Sequence, residues 1–230
     1  MKEFLNTSSY FGILLSIVAY IIALSLKKKY KLAILNPLLI AIIITVVVVL
    51  ISGVSYETYN SSAKYLSYLL TPATICLAIP LYEQIDKLKE NFVAIMIGIF
   101  SGVLTSICSI FVMSKIFNFS KEEFVTFFPK SITTAIGLSV SEEFGGYVSI
   151  TVAAIILTGV LGNIICEAVL KIAKIDNSIA KGVGIGTASH AIGTSKAIEI
   201  GEVEGAISSL SIVVSGIITV ILASIFIGLY

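Results

Sequence analysis

The sequence contains no arginine and no tryptophan, one histidine, three cysteines and few charges of either sign. With arginine missing, all 15 basic residues are lysines, so the planar fork that usually clamps carboxylate or phosphate is excluded. With tryptophan missing, any aromatic belt at a membrane surface falls to tyrosine. Charged residues are 13% of the chain, against about 25% in soluble domains, which excludes a surface built to face water. A net charge of +1 offers nothing to a nucleic acid backbone. One histidine and three scattered cysteines make no ligand set for a metal, and no cofactor motif is present. "GVGIG" (182–186) lacks the strand–loop–helix context of a nucleotide loop. The many serines have no histidine partner with an orienting carboxylate, so an enzyme is not expected. The cysteines, Cys76, Cys108 and Cys166, lie in apolar sequence and are expected as small buried hydrophobes.

What fills the chain instead is hydrophobic residues, 57% of the total. Runs such as residues 32–53 match the roughly 20 apolar residues needed to cross a bilayer. The expected fold is an all-α, multi-pass integral membrane protein, a single transmembrane domain over 1–230. Eight apolar segments stand out at 10–26, 32–52, 65–82, 92–117, 124–140, 147–170, 182–198 and 206–230. Helix follows from the need to satisfy every backbone group inside lipid. The N-terminus lacks the charged start and cleavage site of a signal peptide, so 10–26 is expected to be a retained span.

Lysine placement orients the chain. "KKKYK" (27–31) and "KIAKIDNSIAK" (171–181) are both lysine-rich and expected on the cytoplasmic side. Eight full crossings would put them on opposite sides, so one intervening segment is expected to re-enter. A repeat points to candidates. "AIP" at 78–80 recurs as "AIG" at 135–137 and 191–193, and "GVL" at 102–104 recurs at 159–161 and as "GII" at 216–218. Halves at 1–115 and 116–230 with an odd number of crossings would form an inverted repeat, the plan of many secondary transporters.

Three stretches interrupt the apolar pattern with helix breakers and hydroxyls: 70–84, 127–146 and 182–202. Their candidate breaks are Pro72, Pro80, Pro129, Gly137, Gly186 and Gly193. Broken backbone inside a membrane is tolerated only where protein or a water-filled cavity covers it. Lys130 and Lys196 lie within these stretches, and intramembrane charge points to function. Lys130, next to Pro129, is expected in the first turn of a helix or snorkelling to the interface. His190 either titrates with a bound solute or packs as a neutral ring. The candidate binding set is Lys130, Ser131, Thr133, Thr134, Ser189, His190, Thr194, Ser195 and Lys196. "GIFSG" (98–102) reads as close helix packing, and Glu167 as the partner of Lys171 four residues on.

The stretches "PATICLAIPLYEQ", "PKSITTAIGLSVSEEFGG" and "GIGTASHAIGTSKAIEIGEVEGAISSL", in this order, resemble the LrgB/CidB family of bacterial membrane proteins. The resemblance runs from residue 10 to the C-terminus. It implies a multi-pass protein of the bacterial cell membrane, antiholin-like, working with a small holin-like LrgA/CidA partner in control of murein hydrolases and autolysis. It also implies transport, since relatives are implicated in pyruvate uptake and a plastid relative moves glycolate and glycerate. The clustered hydroxyls and lysines favour a secondary transporter of small monocarboxylates. The alternative is an antiholin-like regulator with no transport of its own. The lipid bilayer, a small organic anion, the LrgA/CidA-like protein and a second copy of the chain are the expected partners. Nucleic acid and cofactors are not expected.

Overall fold

The computed structural model describes residues 10–30, 35–76 and 78–230. They form helices joined by short turns, with no strand among the described residues. Two compact units divide the chain, Met1–Cys76 and Leu77–Tyr230. This boundary lies well before the 115/116 point that the sequence repeat suggests.

In the N-terminal unit, α1 (Phe11–Tyr30) packs on α2 (Pro37–Ser52) and α3 (Tyr56–Ala63). Small residues make the contact: Ala19 and Ala23 of α1 are buried against Ala41 of α2. Gly12 lets α1 reach α3, donating its N–H to Ser62 Oγ at 2.8 Å where a side chain would strike the Tyr59 carbonyl. Lys27, Lys28 and Lys29 belong to the last turn of α1 rather than to a loop, where they complement the helix dipole. Lys31 lies outside the described residues. Asn36 caps α2 by accepting from the N–H groups of Leu38 and Leu39, and Pro37 opens that helix, where its missing donor costs nothing. A 3₁₀ helix (Lys64–Leu69) and α4 (Leu70–Cys76) follow.

The C-terminal unit begins with α5 (Ala78–Glu83) and α6 (Ile85–Glu90), then the long α7 (Phe92–Ile116). Next come α8 (Lys121–Phe127), α9 (Thr134–Glu143), α10 (Val148–Ile172), α11 (Ser178–Ile200) and α12 (Glu202–Leu229). One face of α7, carrying Ile95, Ile99, Val103, Ile107 and Ile110, builds the core with Phe124, Val125 and Phe128, Val183 of α11, and Ile207 and Ile227 of α12. The α11–α12 seam is close because it is lined by small residues. A Cβ on Gly186 would fall 2.5 Å from the Ser208 carbonyl, and one on Gly182 would fall 2.8 Å from the Glu204 carbonyl. The "GIFSG" glycines also serve packing: Gly98 faces Val183 and Gly102 faces Thr187.

Four helices, α1, α7, α10 and α12, are long and apolar enough to cross a membrane, and α2 is a shorter apolar helix of 16 residues. The eight expected segments therefore divide into two kinds. Segment 65–82 is cut into the 3₁₀ helix, α4 and α5; 124–140 is cut into α8 and α9; 182–198 falls in α11, which is broken at His190. In chain order, each interrupted stretch is followed by a long helix: α7, α10, then α12. Cys166 is buried as expected, but Cys76 and Cys108 are exposed, a correction with a simple cause. An apolar environment in a membrane protein is as often the lipid-facing surface as the core.

Candidate functional site

The first interruption is the turn between α8 and α9. α8 starts with a reciprocal cap in which Ser120 and Glu123 satisfy each other's backbone N–H groups. It ends because Pro129 has no N–H to continue it, and Phe128 and Pro129 are buried at the corner. The chain turns through Lys130, Ser131 and Ile132 before Thr133 and Thr134 open α9, Thr133 in extended geometry at the cap position. Lys130 is thus in the turn itself, four residues before the helix, and not in a first helical turn. Its Nζ donates to Ser131 Oγ at 3.0 Å, and Ser106 Oγ of α7 donates to the same oxygen at 3.1 Å.

The second interruption is inside α11, at His190, whose φ of 42° and ψ of −142° are not helical. A histidine in this region carries strain of about 1–3 kcal/mol that its surroundings must offset. They do so by enclosing it. His190 is 2% exposed, and its Nε2 lies 2.9 Å from the Ile155 carbonyl of α10. A carbonyl only accepts, so Nε2 carries the hydrogen. The ring rests on Gly159, where a Cβ would fall 2.6 Å from Cε1, and the preceding Ser189 fills the space that a side chain at Gly162 would need. Thr194 closes the other side, donating to the His190 carbonyl at 3.0 Å and lying 2.6 Å from Ser208 Oγ of α12. The break is therefore stapled to both neighbouring long helices.

Between these interruptions lies a small cavity with room for about one water molecule. Its polar lining is Ser106 of α7, Ser131 of the turn, Thr187 of α11, and Ser215 and Thr219 of α12. Four separate elements thus bring hydroxyls around one small space, with the Lys130 ammonium bonded to one of them.

A model of the LrgB-like family matches residues 16–229. The chain is 38% identical over 230 residues to the holin-like protein CidB of Staphylococcus epidermidis, covering all of both chains. It is 39% identical over 218 residues to the holin-like protein CidB of Staphylococcus aureus, covering 95% of each. To the antiholin-like protein LrgB of Bacillus subtilis it is 37% identical over 223 residues, 96% of each. This chain belongs to the LrgB-like family. No solved structure matches it.

The candidate residues of this LrgB-like chain sort into three groups. Lys130, Ser131 and, at the mouth of α9, Thr133 and Thr134 gather at the first interruption. Ser189, His190 and Thr194 gather at the second, all buried. Ser195 and Lys196 stand apart from the cavity. Ser195 is exposed and accepts from Asn163 Nδ2 at 3.2 Å, while Lys196 Nζ lies 2.6 Å from Glu167 Oε1 and 3.1 Å from Glu199 Oε2. Glu167 thus ties α10 to α11 through Lys196 and is not the i,i+4 partner of Lys171. The helix across the interface presents an ammonium at closer range than the next turn does.

Three candidate breaks need correction. Gly137, Gly186 and Gly193 sit within helices and serve packing, against Ile155, the Ser208 carbonyl and Ser189 respectively. Pro129 does end a helix, and Pro72 and Pro80 each stand third in the short helices α4 and α5. Ser106, Ser215, Thr219, Gly159 and Gly162 were missed. The signal available for the serines was a hydroxyl every turn, 211, 215, 219, on one face of an otherwise apolar helix.

Proposed function

We propose that this chain is a multi-pass protein of the bacterial cell membrane that acts as a holin- or antiholin-like modulator of murein hydrolase activity and autolysis, together with a small LrgA/CidA-like membrane protein. The observation that carries the reading is end-to-end similarity, at 37–39% identity, to proteins bearing both names. No catalytic step is needed. Deletion of the gene is expected to change the rate of detergent-induced autolysis, and the chain supplied in trans is expected to restore it. An unchanged autolysis rate in the deletion strain overturns this reading. Purification with and without the small partner tests whether the chain assembles with it or with its own copies.

A second reading is favoured by the hydroxyl-lined cavity beside Lys130. In it the chain is a secondary transporter of a small monocarboxylate such as pyruvate or glycolate, with effects on lysis following from metabolism. Liposomes containing the purified chain, alone and with the partner, are tested for uptake of labelled pyruvate and glycolate. Saturable uptake supports the carrier. Uptake at the level of protein-free liposomes in both preparations removes it.

A further inference from the structure

Beside the enclosed cavity, and one turn further along α7, an apolar groove opens to the outside of the C-terminal unit. Ser109, Ile110 and Met113 of α7, with Phe117 just past its end, form one wall, and Phe127 and Lys130 form part of the other. The cavity uses Ser106 of the same helix and Ser131 of the same turn. Groove and cavity are therefore successive compartments of one seam. What lies between them is the hydrogen-bonded row Lys130 Nζ, Ser131 Oγ, Ser106 Oγ.

The chemistry of that row is directional. A serine hydroxyl has one proton and two lone pairs. Ser131 accepts from both Lys130 and Ser106, so its own proton remains for a further acceptor. Two other cavity hydroxyls are committed, since Thr187 donates to the Val183 carbonyl at 2.7 Å and Ser215 to the Ile212 carbonyl at 3.0 Å. Donors toward a negative ligand are thus Lys130 and Ser131 at the groove side and Thr219 on the far wall of the cavity. Among the described residues no carboxylate pairs with Lys130, whereas Lys196 has two.

We propose that the groove between α7 and the α8–α9 turn is the entry route for a small monocarboxylate, and that the Lys130–Ser131–Ser106 row is its closed gate. This rests on the carrier reading above. The carboxylate arrives along the groove, takes the Lys130 ammonium from Ser131, and accepts a hydrogen bond from the Ser131 hydroxyl as it passes. The apolar groove wall suits the short carbon chain of such an acid, and the flexible lysine stem lets the ammonium follow its charge.

The test uses full-length protein with Cys76, Cys108 and Cys166 replaced by alanine and Ser109→Cys introduced into the groove. Attachment of a bulky thiol reagent is expected to lower pyruvate uptake at least about tenfold relative to the same variant before labelling, and pyruvate is expected to slow that attachment. Lys130→Gln removes the charged donor and is expected to abolish the protection, whereas Lys130→Arg keeps the charge and is expected to keep it. Full uptake after labelling, or protection that survives Lys130→Gln, overturns the gate while leaving the carrier standing. Absence of uptake in the unaltered protein, both alone and with the small partner, overturns both together.

Discussion

At His190 the chain breaks against glycines, whereas between Phe128 and Thr133 it breaks around hydroxyls. The first of these is held by shape. Gly159 and Gly162 of α10 leave hollows that the His190 ring and Ser189 fill, and the one ring hydrogen bond goes to a backbone carbonyl. The second is held by polar contacts that a solute can exchange, an ammonium and two hydroxyls in a row. The same division separates the lysines of the two interrupted stretches, since Lys196 is neutralised by Glu167 and Glu199 while Lys130, among the described residues, bonds to Ser131 and to no carboxylate. A break locked by packing positions other groups; a break closed by hydrogen bonds can open.

Substitutions can test that division. The largest effect is expected from Gly162→Leu, which demands the volume Ser189 already occupies. Overpacking of this kind costs about 1–3 kcal/mol and more when backbone stands in the way, so membrane abundance and thermal stability in detergent should both fall sharply. Gly184→Ala on the same α11, where an added Cβ meets nothing within 4 Å, is the control and should be neutral or slightly stabilising. If both variants behave alike, the His190 break is not held by shape.

Next comes Lys130→Gln, expected to lower uptake about tenfold or more through loss of a charged donor, with protein abundance preserved. His190→Gln keeps a donor for the Ile155 carbonyl but cannot titrate. In liposome uptake measured across about pH 5 to 8, it should flatten whatever pH dependence the unaltered protein shows. An unchanged profile would assign the ring to packing alone. The smallest effect belongs to Lys196→Gln. Its ion pairs are partly exposed, so thermal melting should shift by the equivalent of about 1 kcal/mol or less, with uptake kept within about twofold.

The sequence disclosed the long helices and the interrupted stretches because both are one-dimensional properties, apolar length and helix breakers. The position of the second break was not legible. Glycine is the residue that tolerates positive φ, so Gly186 and Gly193 drew the prediction, yet the strain falls on His190 because α10 supplies hollows and a carbonyl that enclose the ring. Those hollows belong to Gly159 and Gly162, about 30 residues away, and sequence spacing within α11 contains no trace of them. The partner of Lys196 was hidden likewise. Glu167 has Lys171 one turn on, and only the packing of α10 against α11 shows that the lysine across the interface is nearer. Of the cavity, Ser131 was legible from its place next to Lys130, whereas Ser106, Ser215 and Thr219 join it by the packing of two separate helices, α7 and α12.

The 16 residues of α2 have a consequence for the surrounding lipid. At about 1.5 Å per residue the helix is about 24 Å long, against a hydrocarbon core of about 30 Å. Asn36 and Gly53 cap both ends, so the helix is stopped there and does not lengthen to fit. A crossing by α2 therefore pulls the two leaflets toward each other on that side of the molecule, at a cost of a fraction of a kcal/mol per Å of mismatch. Where α2 crosses a bilayer, vesicles of short-chain lipid relieve that cost and vesicles of long-chain lipid increase it, and bilayer thickness becomes a physical variable for the N-terminal unit.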